Sequence, residues 1–412
     1  MHRRRRSAAV SFSLRFGGKN AFAKCTSLSE VTTSAATDIG EGLFSGCTAL
    51  TSFELKGDIL PANTFNGCRN LRSVTFTSGE FRGIGELALA NTGITGITLP
   101  AGEYTIGKGA FSSDSRLARV TLSAGTVISG LSETPFAYCT SFTEFELDGN
   151  VNYTVHDGML ISADGRTLVA VPYGKTGITA SSLPESVVAL SSGVFSGMKG
   201  VTSWDLTGYT SVGAYAFAGS GVTSVNLGGL TDIPDGLFSG CRSLTTLTGA
   251  ENVRTVGASA FASCLALKSL ELPAAETAGE GAFRSSALTS VSLPELRTVG
   301  DSAFRATKLT SLSLPKLSVI GSSAFYGMPS LTDITVGGVT SMGTTVFVAS
   351  PKLRTVTFGE GTTLIGSCAF FDPNATTAAS SSLESVTLPA SVKTIGAYAF
   401  ANTKITSIEI PG

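Results

Sequence analysis

Seven cysteines and two histidines are the residues of this chain best suited to metal or nucleophile chemistry. Cys25, Cys47, Cys68, Cys139, Cys241 and Cys264 each stand three residues after a phenylalanine, in F-x-x-C, and Cys368 stands in I-G-S-C-A-F. A structural zinc site needs four converging ligands. With only His2 and His156 beside the thiols, neither a metal nor another cofactor is expected. If the spacing reflects stacked turns, the first three cysteines lie near disulfide distance. Ser, Met, Asp or Thr takes the same position elsewhere, as a small packing slot tolerates. The expectation is therefore a ladder of buried, reduced thiols.

Other constellations carry less. His156-Asp157 is a base beside a carboxylate, but no nucleophile is placed to complete a triad. Residues 102–109, GEYTIGKG, nearly spell a phosphate-binding loop, yet Gly109 stands where the magnesium-binding hydroxyl belongs. Asn152-Tyr153-Thr154 and Asn374-Ala375-Thr376 are glycosylation tripeptides of a kind that arises often by chance. A set of carboxylates remains: Glu30, Glu54, Glu144, Glu146, Asp205, Glu271, Asp333 and Glu409, against Arg119 as the one cation in equivalent positions.

Those positions belong to a repeat. Residues 299–314 read VGDSAFRATKLTSLSL, 278–293 read AGEGAFRSSALTSVSL, and 395–410 read IGAYAFANTKITSIEI. A marker Phe recurs from Phe22 to Phe400, replaced once by Leu89, and sixteen L-x-x-V-x-L segments follow the sixteen markers. Most steps are 21 to 25 residues; two are longer, 59 from Phe142 to Val201 and 30 from Leu353 to Leu383. Such a period signals stacked supersecondary units. Val291 and Leu293 alternate with Ser290 and Ser292, which predicts a strand with one apolar and one polar face. Ala303-Phe304 through Leu309 lacks that alternation and suggests a short helical or 3₁₀ turn that drops the ring inside. Gly300 would let the backbone turn between them, and Pro294, Pro315 and Pro389 would stop the strands. One unit cannot bury its apolar face, whereas stacked units share a core. The fold class is thus a leucine-rich-repeat solenoid, right-handed, with one parallel strand per turn and short helical turns on the other side.

The net charge is −1, and Arg3 to Arg6 contribute +4, so the remainder carries about −5. No nucleic-acid surface is expected outside that tetrad, and no apolar stretch is long enough to span a membrane as a helix. Residues 1–16 read as a basic leader or, preferably, a truncated first turn, and 17–148 as turns one to six. In 149–183, Ala163-Asp164-Gly165 between apolar runs marks an inserted β-hairpin. Residues 184–412 hold turns seven to sixteen, with an exposed polar loop at 371–382 and no evident C-terminal cap.

The I-G-x-x-A-F-x-x-C-x-x-L-x-x-V-x-L units, together with DGMLISADGRTLVAVPYGK, resemble the BspA-like (Treponema pallidum type) leucine-rich repeat proteins over about residues 17–412. The resemblance implies a curved solenoid on a cell surface or secreted, and adhesion to host matrix proteins, mucin or other cells. On this basis the leading reading is a non-enzymatic protein that binds an extracellular protein or glycan. It would bind through the polar strand face, where the eight carboxylates among Ser and Thr give an acidic bias. The alternatives are a structural stalk without a ligand and, third, a polysaccharide-active enzyme on a parallel β-helix. The third is disfavoured because its acidic residues would gather with Lys and Arg at one spot rather than spread over the turns.

Overall fold

Apolar-polar alternation demands a strand covered on one side only. The computed structural model, which describes residues 10–12, 16–33, 38–77, 81–131, 134–371 and 382–409, has that strand. The chain forms two compact units, Met1–Gly200 with Thr210–Gly213, and Val201–Tyr209 with Ala214–Gly412.

In the second unit the strands Ser311–Leu314, Asp333–Val336, Thr355–Phe358 and Ser385–Thr387 run parallel in one sheet. Leu312, Ile334, Val356 and Val386 stack directly upon one another and are all buried. Ser203–Asp205, Ser224–Asn226 and Thr246–Thr248 form another parallel group, and Ser269–Glu271 pairs with Ser290–Ser292. Each turn also adds a second strand that the sequence reading did not include. It is two residues long, ending on the aliphatic residue of the I-G pair. Six of these, from Asp232–Ile233 to Ser341–Met342, make their own parallel sheet.

The segment around the marker Phe differs from the expected helical turn. Ser302 and Ala306, two residues either side of Phe304, have φ of 56° and 60°. Left-handed residues at this interval rotate alternate peptide planes. Arg305 N and Thr307 N donate within the turn, to Ser302 O and Phe304 O, as in a 3₁₀ helix. Ser302 N, Phe304 N and Ala306 N donate instead to the next turn, at Ser322 O, Ala324 O and Tyr326 O, 2.8–3.0 Å away. The arc is therefore bonded along the stack like a sheet, which a helix cannot be. Among the described residues the one 3₁₀ helix, Ala180–Ser182, lies in the insertion.

The role expected of Gly300 also changes. Its φ is not positive; a Cβ there would lie 2.7 Å from Glu280 N, so the glycine permits close approach of two turns. The marker rings form the spine of the core. From Phe217 through Phe400 each stacks on the next with centroids 4.9–5.8 Å apart.

The first unit repeats this plan. Gly96–Leu99, Arg119–Ser123 and Glu144–Asp148 are parallel, as are Ile59–Leu60, Gly83–Ile84, Gly102–Ile106 and Thr126–Leu131 in the second sheet. Thus GEYTIGKG begins as a sheet strand rather than a phosphate loop. Phe22, Phe44 and Phe65 stack, Leu89 interrupts, and Phe111 stacks on Phe136.

In the insertion, Tyr153–His156 and Met159–Ser162 form a hairpin about Asp157 (φ 44°) and Gly158 (φ 69°), a two-residue turn whose twist suits antiparallel strands. A second hairpin joins Met159–Ser162 to Thr167–Ala170. Its turn is held by Asp164 Oδ1, which accepts from Ser162 Oγ and Arg166 N. Thr167–Ala170 then runs parallel to Ala189–Leu190, with Leu168 opposite Leu190. The insertion so contributes a rung of its own. Tyr173 falls five residues after Leu168, as the marker Phe195 follows Leu190, and its hydroxyl reaches Gly197 O at 3.3 Å. The Arg tetrad, the sequon at Asn374 with most of 371–382, and residues 410–412 lie outside the described residues.

Candidate binding face

Parallel register sorts the polar side chains of the strands into rows. In the second unit Ser311, Asp333, Thr355 and Ser385 make one row and Ser313, Thr335, Thr357 and Thr387 another. The neighbouring strands of a sheet lie about 4.8 Å apart, so hydroxyls recur at that interval. Across Ser290–Ser292, Ser311–Leu314 and Asp333–Val336 the side chains are short enough to leave a trough of about 530 Å³. The half-buried Val291, Pro294, Pro315, Asp333 and Thr335 are among the residues that line it. Thr289 and Thr332 donate their hydroxyls to the backbone carbonyls of Lys268 and Thr310 one turn back. The strand ends are thereby pinned.

Of the carboxylates singled out from sequence, Glu54, Glu144, Glu146, Asp205, Glu271 and Asp333 lie on these strands, Glu146 half-buried and the others exposed. Glu30 is exposed immediately before Val31–Thr33, and Glu409 is exposed in a segment without strand structure. They are not equally available. Arg119 Nη1 lies 3.0 Å from Glu146 Oε1, and Thr121 Oγ1 donates to the other oxygen. Lys56 Nζ approaches Glu54 at 3.8 Å. Asp205 Oδ1 accepts from Thr207 N and from Asn226 Nδ2. The Thr207 hydroxyl and then the Thr207 amide hold the Asp205 carboxyl below the usual carboxylate range, with Asn226 adding to them. Asp333 Oδ1 lies 2.8 Å from the Thr332 hydroxyl and competes with Thr310 O for its one hydrogen. Sequence reasoning missed these partners, which come from the turn before, the turn after, or a residue just beyond the strand.

The remaining constellations have structural roles. Cys47, Cys68, Cys139, Cys241 and Cys264 are buried thiols outside any disulfide, and each Sγ donates to the carbonyl of the marker Phe one turn back, at 2.9–3.2 Å. Burial pushes the Cys47 thiol up to about 11 and the Cys68 thiol up to about 12. Cys25 departs from the expected ladder, since it is exposed, and Cys368 is half-buried with φ of 53°. Asp157 is paired with Lys175 Nζ at 2.9 Å, next to the exposed His156. Asn152 Nδ2 donates one of its two hydrogens to Thr126 O at 3.2 Å. Among the described residues no group of three or more His, Cys, Asp or Glu is placed to hold a metal ion. No helix there is long and apolar enough to cross a membrane.

A family model described as the BspA type leucine-rich repeat region matches residues 7–118, 37–157, 172–286, 274–377 and 375–412. No curated protein matches the chain. Among solved structures, a leucine-rich repeat protein from Eubacterium ventriosum is similar at 17% identity and a TM-score of 0.49, covering 93% of this chain and 85% of that one. A leucine-rich cell surface protein from Faecalibacterium prausnitzii is similar at 19% identity and a TM-score of 0.44, covering 68% and 76%. The leucine-rich repeat protein of T. pallidum is similar at 24% identity and a TM-score of 0.26, covering 42% and 78%. With the family model spanning most of its length and the turns built as that repeat requires, this chain belongs to the BspA-type leucine-rich repeat family.

Proposed function

We propose that this protein acts at a cell surface or after secretion, by binding a large extracellular partner through its strand faces rather than by catalysis. The observation that carries the reading is the trough over Ser290–Ser292, Ser311–Leu314 and Asp333–Val336, with its two in-register polar rows. Short hydroxyl side chains on an open sheet offer many weak contacts and no enclosed pocket, which suits a protein or glycan surface better than a small molecule. The exposed carboxylates Glu271 and Asp333 favour a partner with basic patches. Such association is steered electrostatically and weakens as salt screens it. Matrix proteins and mucin are the partner classes to screen, by surface-plasmon binding to the immobilised chain across a salt series. Once a partner is found, Glu271→Ser with Asp333→Ser should weaken binding and flatten its salt dependence. Undiminished binding, or protection mapped to the insertion at 153–172, would move the site off the strand face.

A further inference from the structure

The slot three residues after the marker follows one pattern in the cysteine turns; the slot hydroxyls of Ser286 and Thr307 are buried without a partner and do not share it, and Asp114 departs from it in a way that leaves a backbone carbonyl unpaired as well. In the cysteine turns the slot N–H bonds the marker carbonyl of its own turn, and the slot Sγ donates to the marker carbonyl of the preceding turn. Phe44 O thus accepts from Cys47 N and Cys68 Sγ, and Phe217 O from Ser220 N and Cys241 Sγ. Asp114 occupies the slot after Phe111 and is fully buried. Its Oδ1 accepts from Thr92 N at 2.6 Å and Thr92 Oγ1 at 2.9 Å, which draws Thr92 N away from the marker of its own turn, Leu89. Two acceptors are left over. Asp114 Oδ2 is buried without a hydrogen-bond partner, and the carbonyl of the buried Leu89 accepts no hydrogen bond among the described residues. Asp114 stands where the side chain of a cysteine turn donates to the preceding marker carbonyl, which here is Leu89 O. A carboxylate has no hydrogen to give, whereas a carboxylic acid has one.

We propose that Asp114 is a neutral carboxylic acid in the folded protein, its Oδ2–H bonded to the Leu89 carbonyl in the place a thiol takes in other turns, so that losing this proton loosens the surrounding turns. Among the described residues no ion pair offsets a charge there. Thr92 faces the carboxyl from the preceding turn and Cys139 from the following one, and Arg116, two residues on, is exposed. Burial pushes the Asp114 carboxyl up to about 7 against the opposing pull of the two Thr92 hydrogen bonds. Burial pushes the Cys139 thiol up, so it stays protonated and brings no charge of its own to the site.

The sign follows from linkage. A carboxyl whose folded value is raised binds its proton more tightly when folded. Its stabilising contribution is complete below the unfolded value, 3.8, and is lost as pH rises through about 7. The protein is thereby built to hold this region more firmly in mildly acidic surroundings than in alkaline ones.

Two measurements on the full chain decide it. Infrared difference spectra of ¹³C-aspartate-labelled protein should show a protonated carboxyl band at pH 5.5 that titrates near pH 7. Hydrogen exchange of peptides spanning 88–120, corrected for intrinsic rates, should give an opening constant that rises about tenfold per pH unit between pH 5 and pH 7. Asp114→Asn keeps the acceptor for Thr92 and supplies an N–H for Leu89 O. It should hold its low opening constant up to pH 8 and lack the infrared band. A wild-type carboxyl already ionised at pH 5.5, or the same pH dependence in Asp114→Asn, overturns the proposal. Should that variant fail to fold, the wild-type infrared titration decides alone.

Discussion

The ring of Phe304 lies 5.5 Å from that of Phe325 and within 19° of parallel, and on its other side 4.9 Å from Phe283. All three side chains are fully buried. Each ring is therefore packed by the same residue type in both neighbouring turns, and no mobile segment can collapse into the space of a missing one. Phe304→Ala should cost about 3–5 kcal/mol, the range of large-to-small core changes. Denaturant unfolding followed by Trp204, the single tryptophan, reports on this unit. A loss under about 0.5 kcal/mol, typical of surface changes, would contradict the packing.

Gly300 and Ser302 should respond in opposite directions. A methyl group at Gly300 would press on Glu280 N and Gly279 C, both 2.7 Å away. That is backbone against backbone, so Gly300→Ala should destabilise by about 1–3 kcal/mol through overpacking. Ser302 sits at φ 56°, a conformation costly for most residues but tolerated by Asn. Asn20 and Asn63 fill the equivalent position in other turns at φ 58° and 59°. Ser302→Asn should therefore raise stability by about 0.5 kcal/mol. Melting curves of the two variants, measured side by side, check the contrast.

That contrast also shows what the sequence made legible. Val291 against Ser290 and Ser292 gave the strand, Phe304 gave the spine, and Ala163-Asp164-Gly165 gave the second hairpin of the insertion, because each is a local pattern with a local cause. The strand Thr298–Val299 was invisible, since two residues cannot display a period. The left-handed positions were hidden too. Stacking bonds hold them, so Ser302, Tyr215, Leu87 and Thr345 all serve there without a common residue type. The polar rows could be placed by parity, whereas the pairing of Arg119 with Glu146 depends on a diagonal between adjacent strands. The slot reading anticipated small buried thiols, but the exception at Asp114 needed coordinates.

The thiols should divide by burial. In native protein without reductant, a thiol reagent should modify Cys25 rapidly and Cys368 slowly. The five buried thiols, each donating to a marker carbonyl, should stay protected. In denaturant all seven should titrate. Linked cysteine peptides in mass spectra, or rapid native modification of Cys68, would contradict this ladder.

Asp205 and Glu271 occupy corresponding places on their strands, yet their substitution should differ. Glu271 is exposed and has no hydrogen bond or ion pair among the described residues, so Glu271→Ser should leave stability within about 0.5 kcal/mol. Asp205 accepts from Thr207 N at 2.9 Å and Asn226 Nδ2 at 3.1 Å. Charge-assisted bonds of this kind tie the strand Ser203–Asp205 to the loop after it and to the next turn. Asp205→Ser should cost about 0.5–1.5 kcal/mol, the net worth of such a bond. The pH dependence runs opposite to that of Asp114. The Asp205 carboxyl is held below its ordinary value by the Thr207 hydroxyl and amide. Its contribution is therefore present above the unfolded value, 3.8, and is lost as pH falls through the lower folded one. Denaturant midpoints read by Trp204 between pH 5 and pH 2 should fall less steeply in Asp205→Asn than in wild type. An equal slope would mean that the carboxylate is as free in the folded chain as in the unfolded one.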